Sequence, residues 1–322
     1  SPSPSPSPSP NPSPSPSPKP NLNPDQAVFT EALAKTGQEL VFFIHGYSVQ
    51  TKSMVTSTDE MQKNFNANQP DVDQALVVPV DWACAERPWW HFRPLATYYE
   101  DQECSEKAGR AIGKFLRSLK STNSQKLNVV AHSMGNRVLR SVGKSAGGQA
   151  RWDMEALAQG KSLLEAAPKD LQSNENLFEN IFFVSADIPE SVFEEPTDGT
   201  ESQQEEHALK SGVAALAVMS KRMHVLHANG WDQALNASSA LNGGNARLGS
   251  RGPYASGEST KVWEAVSAEV EKKGGNVSDE ENDKLFGNVH VQDCSKWNTD
   301  NDRAGHSYQS DPKSVAYYLE HM

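Results

Sequence analysis

Cysteine is scarce: Cys84, Cys104 and Cys294 are the three in 322 residues. That is too few for a disulfide-framework scaffold, and the spacings match no zinc pattern. Cys84 and Cys104 flank one aromatic-rich loop, so a clasp between them is conditional on an oxidising compartment. Otherwise the cysteines serve as small buried hydrophobes. Basic charge is also in deficit, with 30 Lys and Arg against 41 Asp and Glu and a net charge of -11. This works against binding a polyanion, so no nucleic-acid partner is expected. The eight carboxylates between Asp187 and Glu206, without a Lys or Arg among them, read as a solvated helix or loop face. Apolar runs stay far below the ~18 residues of a membrane span, which excludes one.

Proline is sparse outside one place. Ten of the 20 prolines lie within residues 1–20, at every even position of SPSPSPSPSPNPSPSPSPKP. Proline lacks a backbone donor and serine offers nothing to bury, so this segment has no core of its own. Polyproline II is expected there, rising ~3.1 Å per residue. The division predicted is a disordered Ser-Pro stalk over 1–24 and one folded domain over 25–322. A semi-rigid spacer suits an enzyme that is secreted, periplasmic or tethered to a surface, with any tether or removed signal peptide upstream of Ser1.

Beyond the stalk, short apolar runs alternate with helix-like segments, the pattern of a mostly parallel sheet with helices on both faces. The predicted strands are Glu39 to Ile44, Ala75 to Val80, Leu127 to Ala131, Ile181 to Ser185, Met223 to His227 and Asn288 to Gln292. Most are continuous apolar runs, as strands buried on both faces require. Ala108, Ile112, Phe115, Leu116 and Leu119 share one helical face, and Met134, Val138, Leu139 and Val142 share another. Asp311-Pro312 signals the cap and first turn of a final helix.

The strand Leu127 to Ala131 runs into His132-Ser133-Met134-Gly135 and then directly into a helix. This is the setting of a nucleophile elbow, in which a serine sits on a strained turn between small residues. Ala131 and Gly135 are those residues, with alanine in place of the usual first glycine. The main-chain N–H of Met134, at the helix start, is a candidate oxyanion donor. The second is the N–H of Tyr47, where Gly46 lets the chain turn after the strand ending at Ile44.

FFIHGYSV, VDW, AHSMGNRVL, SADIPESVF, WDQALNAS with RLG downstream, and GHSY occur in the order found in a bacterial family of α/β-hydrolase fold proteins long catalogued as of unknown function. The chain resembles that family over about residues 38 to 320. The resemblance implies an α/β-hydrolase fold and a serine hydrolase with a Ser, acid, His triad, and it supplies no substrate.

The base belongs after the last strand, with chain order Ser, acid, His. Of the nine histidines, His306 has the loop position and the GHSY match, whereas His290 lies in a predicted strand and His321 in the terminal helix. Two acids compete. Asp232, after the Met223 to His227 strand, is favoured, and Asp187, after the preceding strand, is the alternative. Trp82, Trp89, Trp90 and Phe92 either wall a substrate pocket or form a satellite core. His224 and His227 point to opposite strand faces and cannot share an ion; His290 and Cys294 are a weak pair, and the sequons at Asn236 and Asn276 decide nothing. No metal and no cofactor are expected. The reading is a carboxylic ester hydrolase acting on a small-molecule ester, with an acyltransferase using the same triad and a non-catalytic surface binding protein of the same fold as alternatives.

Overall fold

A computed structural model describes residues 24–69, 74–82, 94–122, 125–147, 153, 163–173, 176–189, 192, 212–228, 232–242, 247–252, 289–295, 297 and 306–322. Residues 1–23 of the expected stalk, Cys84, Trp89, Trp90, Phe92 and the sequon at Asn276 lie outside the described residues, whereas Pro24, assigned to the stalk, opens the first helix.

The strands are β1 Leu40–Ile44, β2 Leu76–Val80, β3 Leu127–His132, β4 Phe178–Val184, β5 Ser220–His227 and β6 Val289–Asp293. They form one sheet in the order β2-β1-β3-β4-β5-β6, and every neighbouring pair is parallel. β1 and β3 are buried at every position, which is why β1 reads as a continuous apolar run and β3 as one interrupted by Asn128 before it ends at His132. β2 is an edge strand and tolerates Pro79, since a missing N–H there costs no ladder bond. β4 and β5 begin at Phe178 and Ser220, earlier than predicted, because their first residues mix polar side chains into the pairing.

The helices are α1 Pro24–Thr36, α2 Thr51–Asn68, α3 Pro94–Thr122, α4 Gly135–Gly147, α5 Leu163–Ala166, α6 Lys169–Gln172, α7 Val213–Met219, α8 Gln233–Leu241, α9 Leu248–Arg251 and α10 Pro312–His321. Alternate strand residues supply two cores. Phe42, Ile44, Val129, Ala131 and Phe183 pack with α3, α4 and α7 on one face. Val41, Phe43, Val130, Phe182 and Val184 pack with Met61 and Phe65 of α2 and Val315 and Tyr318 of α10 on the other. Asp311 caps α10 by accepting the Lys313 N–H at 2.8 Å.

α3 starts at Pro94, well before the apolar stripe that announces it. Its contact with α4 is made by small residues. A Cβ on Gly109 would fall 2.4 Å from the Val138 carbonyl oxygen and 2.5 Å from Ser141 Cβ, and one on Gly113 would fall 3.0 Å from Ser145 Oγ. Cys104 on α3 is a free thiol. The α3–α4 contact fixes the helix that follows the serine turn.

The sheet order turns back on itself between β1 and β3. Connections from their C-terminal ends diverge to opposite sides, leaving a crevice at those ends, where ligands bind in open α/β sheets.

A buried polar line crosses the opposite core. The neutral His224 ring donates from Nε2 to Asn180 Oδ1 (3.3 Å) and accepts at Nδ1 from Tyr317 Oη (3.2 Å). Asn180 donates to Asn128 Oδ1 at 2.9 Å, and Asn128 to Glu39 Oε1 at 2.9 Å. His290 and His321 rings each lie 4.9 Å from His224. Burial, followed by the nearby His290, His321 and Arg222 charges, holds the His224 pKa well below its ordinary value.

Two outcomes follow from this packing. Helix propensity alone favours Gly109→Ala by about 1 kcal/mol, but the clash with Val138 and Ser141 reverses the sign, so thermal melts should show destabilisation of about 1–3 kcal/mol. For His224, the native state refuses a proton that the unfolded chain accepts, so its contribution is complete above pH ~6.5 and falls as pH drops below it, by at most about 1.4 kcal/mol per pH unit. Melts from pH 7.5 to 5.5 should show this decline, and His224→Phe should flatten it.

Candidate active site

The turn after β3 is strained. Ser133 has φ 53°, in the left-handed region, which costs a non-glycine residue about 1–2 kcal/mol. Its surroundings hold it there. The Ser133 N–H donates to Val184 O at 3.0 Å, and the Ser133 carbonyl accepts the N–H groups of Asn136 and Asp187, each at 3.1 Å. The fully buried Asn136 side chain donates to Ala131 O and Ser133 O, both at 2.9 Å, and to Val184 O at 3.3 Å. One amide thus ties together the ends of β3 and β4.

The end of β1 presses against this turn. A Cβ on Gly135 would lie 2.4 Å from Ile44 O and 2.6 Å from His45 O, and one on Gly46 would lie 2.9 Å from Ser133 Cβ. Both positions therefore exclude a side chain. Trp82 fixes the β1 end by donating its indole N–H to His45 O at 2.9 Å and stacking on the His45 ring at 5.3 Å. His45 donates from Nδ1 to Gly46 O at 2.9 Å. Burial lowers its pKa against the opposing pull of that carbonyl and of Asp81. Of the four loop aromatics, Trp82 is therefore core that pins the turn. Tyr47, next in the chain, bonds Thr97 through its hydroxyl at 3.0 Å, and Met134 is buried immediately after Ser133.

His306 and Asp232 meet in space. His306 Nδ1 lies 2.7 Å from Asp232 Oδ2, and the carboxylate is fully buried. The other oxygen, Oδ1, accepts the Leu235 N–H at 2.9 Å and so caps α8. A carboxylate acceptor fixes a donor N–H on Nδ1 and leaves Nε2 of a neutral ring with its lone pair. The His306 carbonyl accepts from Ser185 Oγ at 2.9 Å and from His132 Nε2 at 3.0 Å. The His132 and His306 rings are 4.8 Å apart, centroid to centroid. His306 is thus tethered to the residue that precedes Ser133.

Asp187 sits apart from His306. Its carboxylate accepts from Tyr98 Oη at 2.7 Å and from Ser238 Oγ, and it faces Arg137 Nε at 3.7 Å and Arg247 Nε at 3.4 Å. The carboxyl that opens the predicted solvated run is therefore buried against two distant arginines. Ser238, the hydroxyl position of the Asn236 sequon, is buried in the same network. Asn136, His132 and Ser185 take roles that no local pattern announces; their one signal is their place in the AHSMGN and SADIP motifs. Among the described residues, no group of three or more His, Cys, Asp and Glu side chains is arranged to hold a metal ion.

No curated protein and no solved structure matches the chain. A family match does extend over residues 23–315. The parallel sheet, the strained serine turn after β3 and this match agree, and the chain belongs to the family described as alpha/beta hydrolase of unknown function (DUF900).

Proposed function

We propose that the protein is a serine hydrolase of carboxylic esters, with Ser133 as nucleophile, His306 as general base and Asp232 as the acid that orients it. The observation that carries this reading is the 2.7 Å contact between His306 Nδ1 and the buried Asp232 carboxylate, on a histidine whose carbonyl is anchored beside Ser133.

In this mechanism Nε2 of His306 takes the Ser133 hydroxyl proton as Oγ attacks the ester carbonyl. Asp232 keeps its charge and stabilises the imidazolium. The main-chain N–H groups of Tyr47 and Met134 receive the oxyanion, aided by the N-terminal end of α4. The intermediate collapses, His306 returns the proton to the leaving alkoxide, and an acyl-Ser133 ester remains. Water then attacks that ester with His306 again accepting the proton, and His306 returns it to Ser133 Oγ as the acid departs and the free serine is restored. Esters are favoured over amides because an alkoxide leaves more readily than an amine anion. The Ser-Pro composition of residues 1–20 supports placing this enzyme outside the cytoplasm.

The test is turnover of p-nitrophenyl esters of increasing acyl length. Wild type should hydrolyse at least one, and Ser133→Ala should lose at least about 10³-fold in kcat; no turnover of any ester by wild type, or an undiminished Ser133→Ala, contradicts the reading. Asp232→Asn should lower kcat about 10³–10⁴-fold in protein that circular dichroism shows to be folded. Asp187→Asn should chiefly lower Tm, because it unbalances a buried ionic network. The reverse pattern would assign the acid to Asp187.

A further inference from the structure

A cavity of about 300 Å³ opens between α3 and α4, and its lining includes Gln102, Glu103, Glu106, Arg137, Arg140 and Ser141. It is distinct from the residues gathered around Ser133. We propose that it is a binding site for a small anionic group, a phosphate or a carboxylate, held between the Arg137 and Arg140 guanidinium groups.

Charge balance favours an anion in this cavity. Glu103 pairs with Lys107 at 2.7 Å, and Glu106 faces Lys144 at 3.7 Å. The two carboxylates in the lining are thus already matched by lysines. Arg137 and Arg247 share the single carboxylate of Asp187. Among the described residues, no carboxylate comes within 4.0 Å of Arg140. Glu106 also acts on Arg140 while facing Lys144, so Arg137, Arg140, Arg247 and Lys144 share the two carboxylates of Asp187 and Glu106 in a partly buried region, an excess of positive charge that favours an added anion.

Hydrogen bonding favours an anion as well. The Nε atom of Arg140 is buried and makes no hydrogen bond, whereas that of Arg137, also without a hydrogen bond, faces the Asp187 carboxylate at 3.7 Å. Buried donors without acceptors are uncommon and costly, and guanidinium donors match phosphate and carboxylate oxygens. Arg137 is held in place by Nη2 contacts to Tyr98 Oη at 3.3 Å and Asn242 Oδ1 at 3.4 Å, so its guanidinium is fixed beside the cavity. The strain on the arginines has an electrostatic trace as well: burial, followed by the Arg137 charge, pulls the Arg140 pKa down to about 10. A bound anion would relieve that pull.

Arg137 also links the cavity to the serine turn. It faces Asp187, whose main-chain N–H donates to Ser133 O at 3.1 Å. The anion is either carried by the substrate or is a separate small ligand, and the chemistry of recognition is the same in both cases.

Isothermal titration of the full chain with inorganic phosphate, at ionic strength matched with chloride, tests the site without relying on catalysis. Wild type and the exposed control Lys169→Gln should bind saturably with the same Kd, and Arg140→Gln should bind at least about tenfold more weakly, the worth of a charged hydrogen bond. Binding no stronger than that of chloride, or an equal Kd in Arg140→Gln, overturns the proposal. If Arg140→Gln does not fold, Arg140→Lys keeps the charge and loses the fork; an unchanged Kd in that variant overturns it too. A second arm separates the sources. If phosphate raises KM for mono-p-nitrophenyl succinate but not for p-nitrophenyl butyrate, the anion belongs to the substrate. If phosphate binds and leaves both KM values unchanged, the ligand is separate.

Discussion

The site rests on one backbone constraint, the left-handed turn at Ser133. Such a turn persists only where its surroundings over-determine it. Here they do so from three strands. The β4 end accepts the Ser133 N–H and sends the Asp187 N–H to its carbonyl. The Asn136 amide binds the β3 and β4 ends together; the β1 end fills the space that a side chain at Gly135 would need, and the serine turn fills the space that one at Gly46 would need. Removing any one of these loosens the geometry of the serine before it touches the fold as a whole.

The remaining groups are tied to that turn by separate means. His306 arrives from a distant part of the sequence, and its carbonyl is gripped by Ser185 and His132, the second of which immediately precedes Ser133. Asp232 divides its carboxylate between His306 and the N-terminus of α8, so one residue both orients the imidazole and anchors the helix that carries Ser238. Asp187 balances buried arginines instead. The two acids that look interchangeable along the chain are separated by what surrounds them.

Much of the fold was legible because a parallel sheet covered on both faces needs long apolar strands, and β1, β3 and the end of β5 have them. The serine turn was legible because its strand, small residues and helix are contiguous. Other features depend on partners far away in sequence. Nothing local to Asp187 predicts Arg137 or Arg247, since the run it opens contains no cation. The first turns of α3 carry no apolar period, because their contacts include polar pairings such as Tyr98 with Asp187 and Ser238. Its packing against α4 uses glycines, which an apolar count overlooks. Asp232 and His306 could be named from order and motif, but only the fold sets them 2.7 Å apart.

The central claim is that the strained serine is the nucleophile activated by His306. Reaction of the folded protein with a fluorophosphonate, followed by peptide mass spectrometry, tests it most directly. The account predicts a single adduct on Ser133, absent in Ser133→Ala and slowed strongly in His306→Ala. An adduct on another residue, or none on wild type, would contradict it.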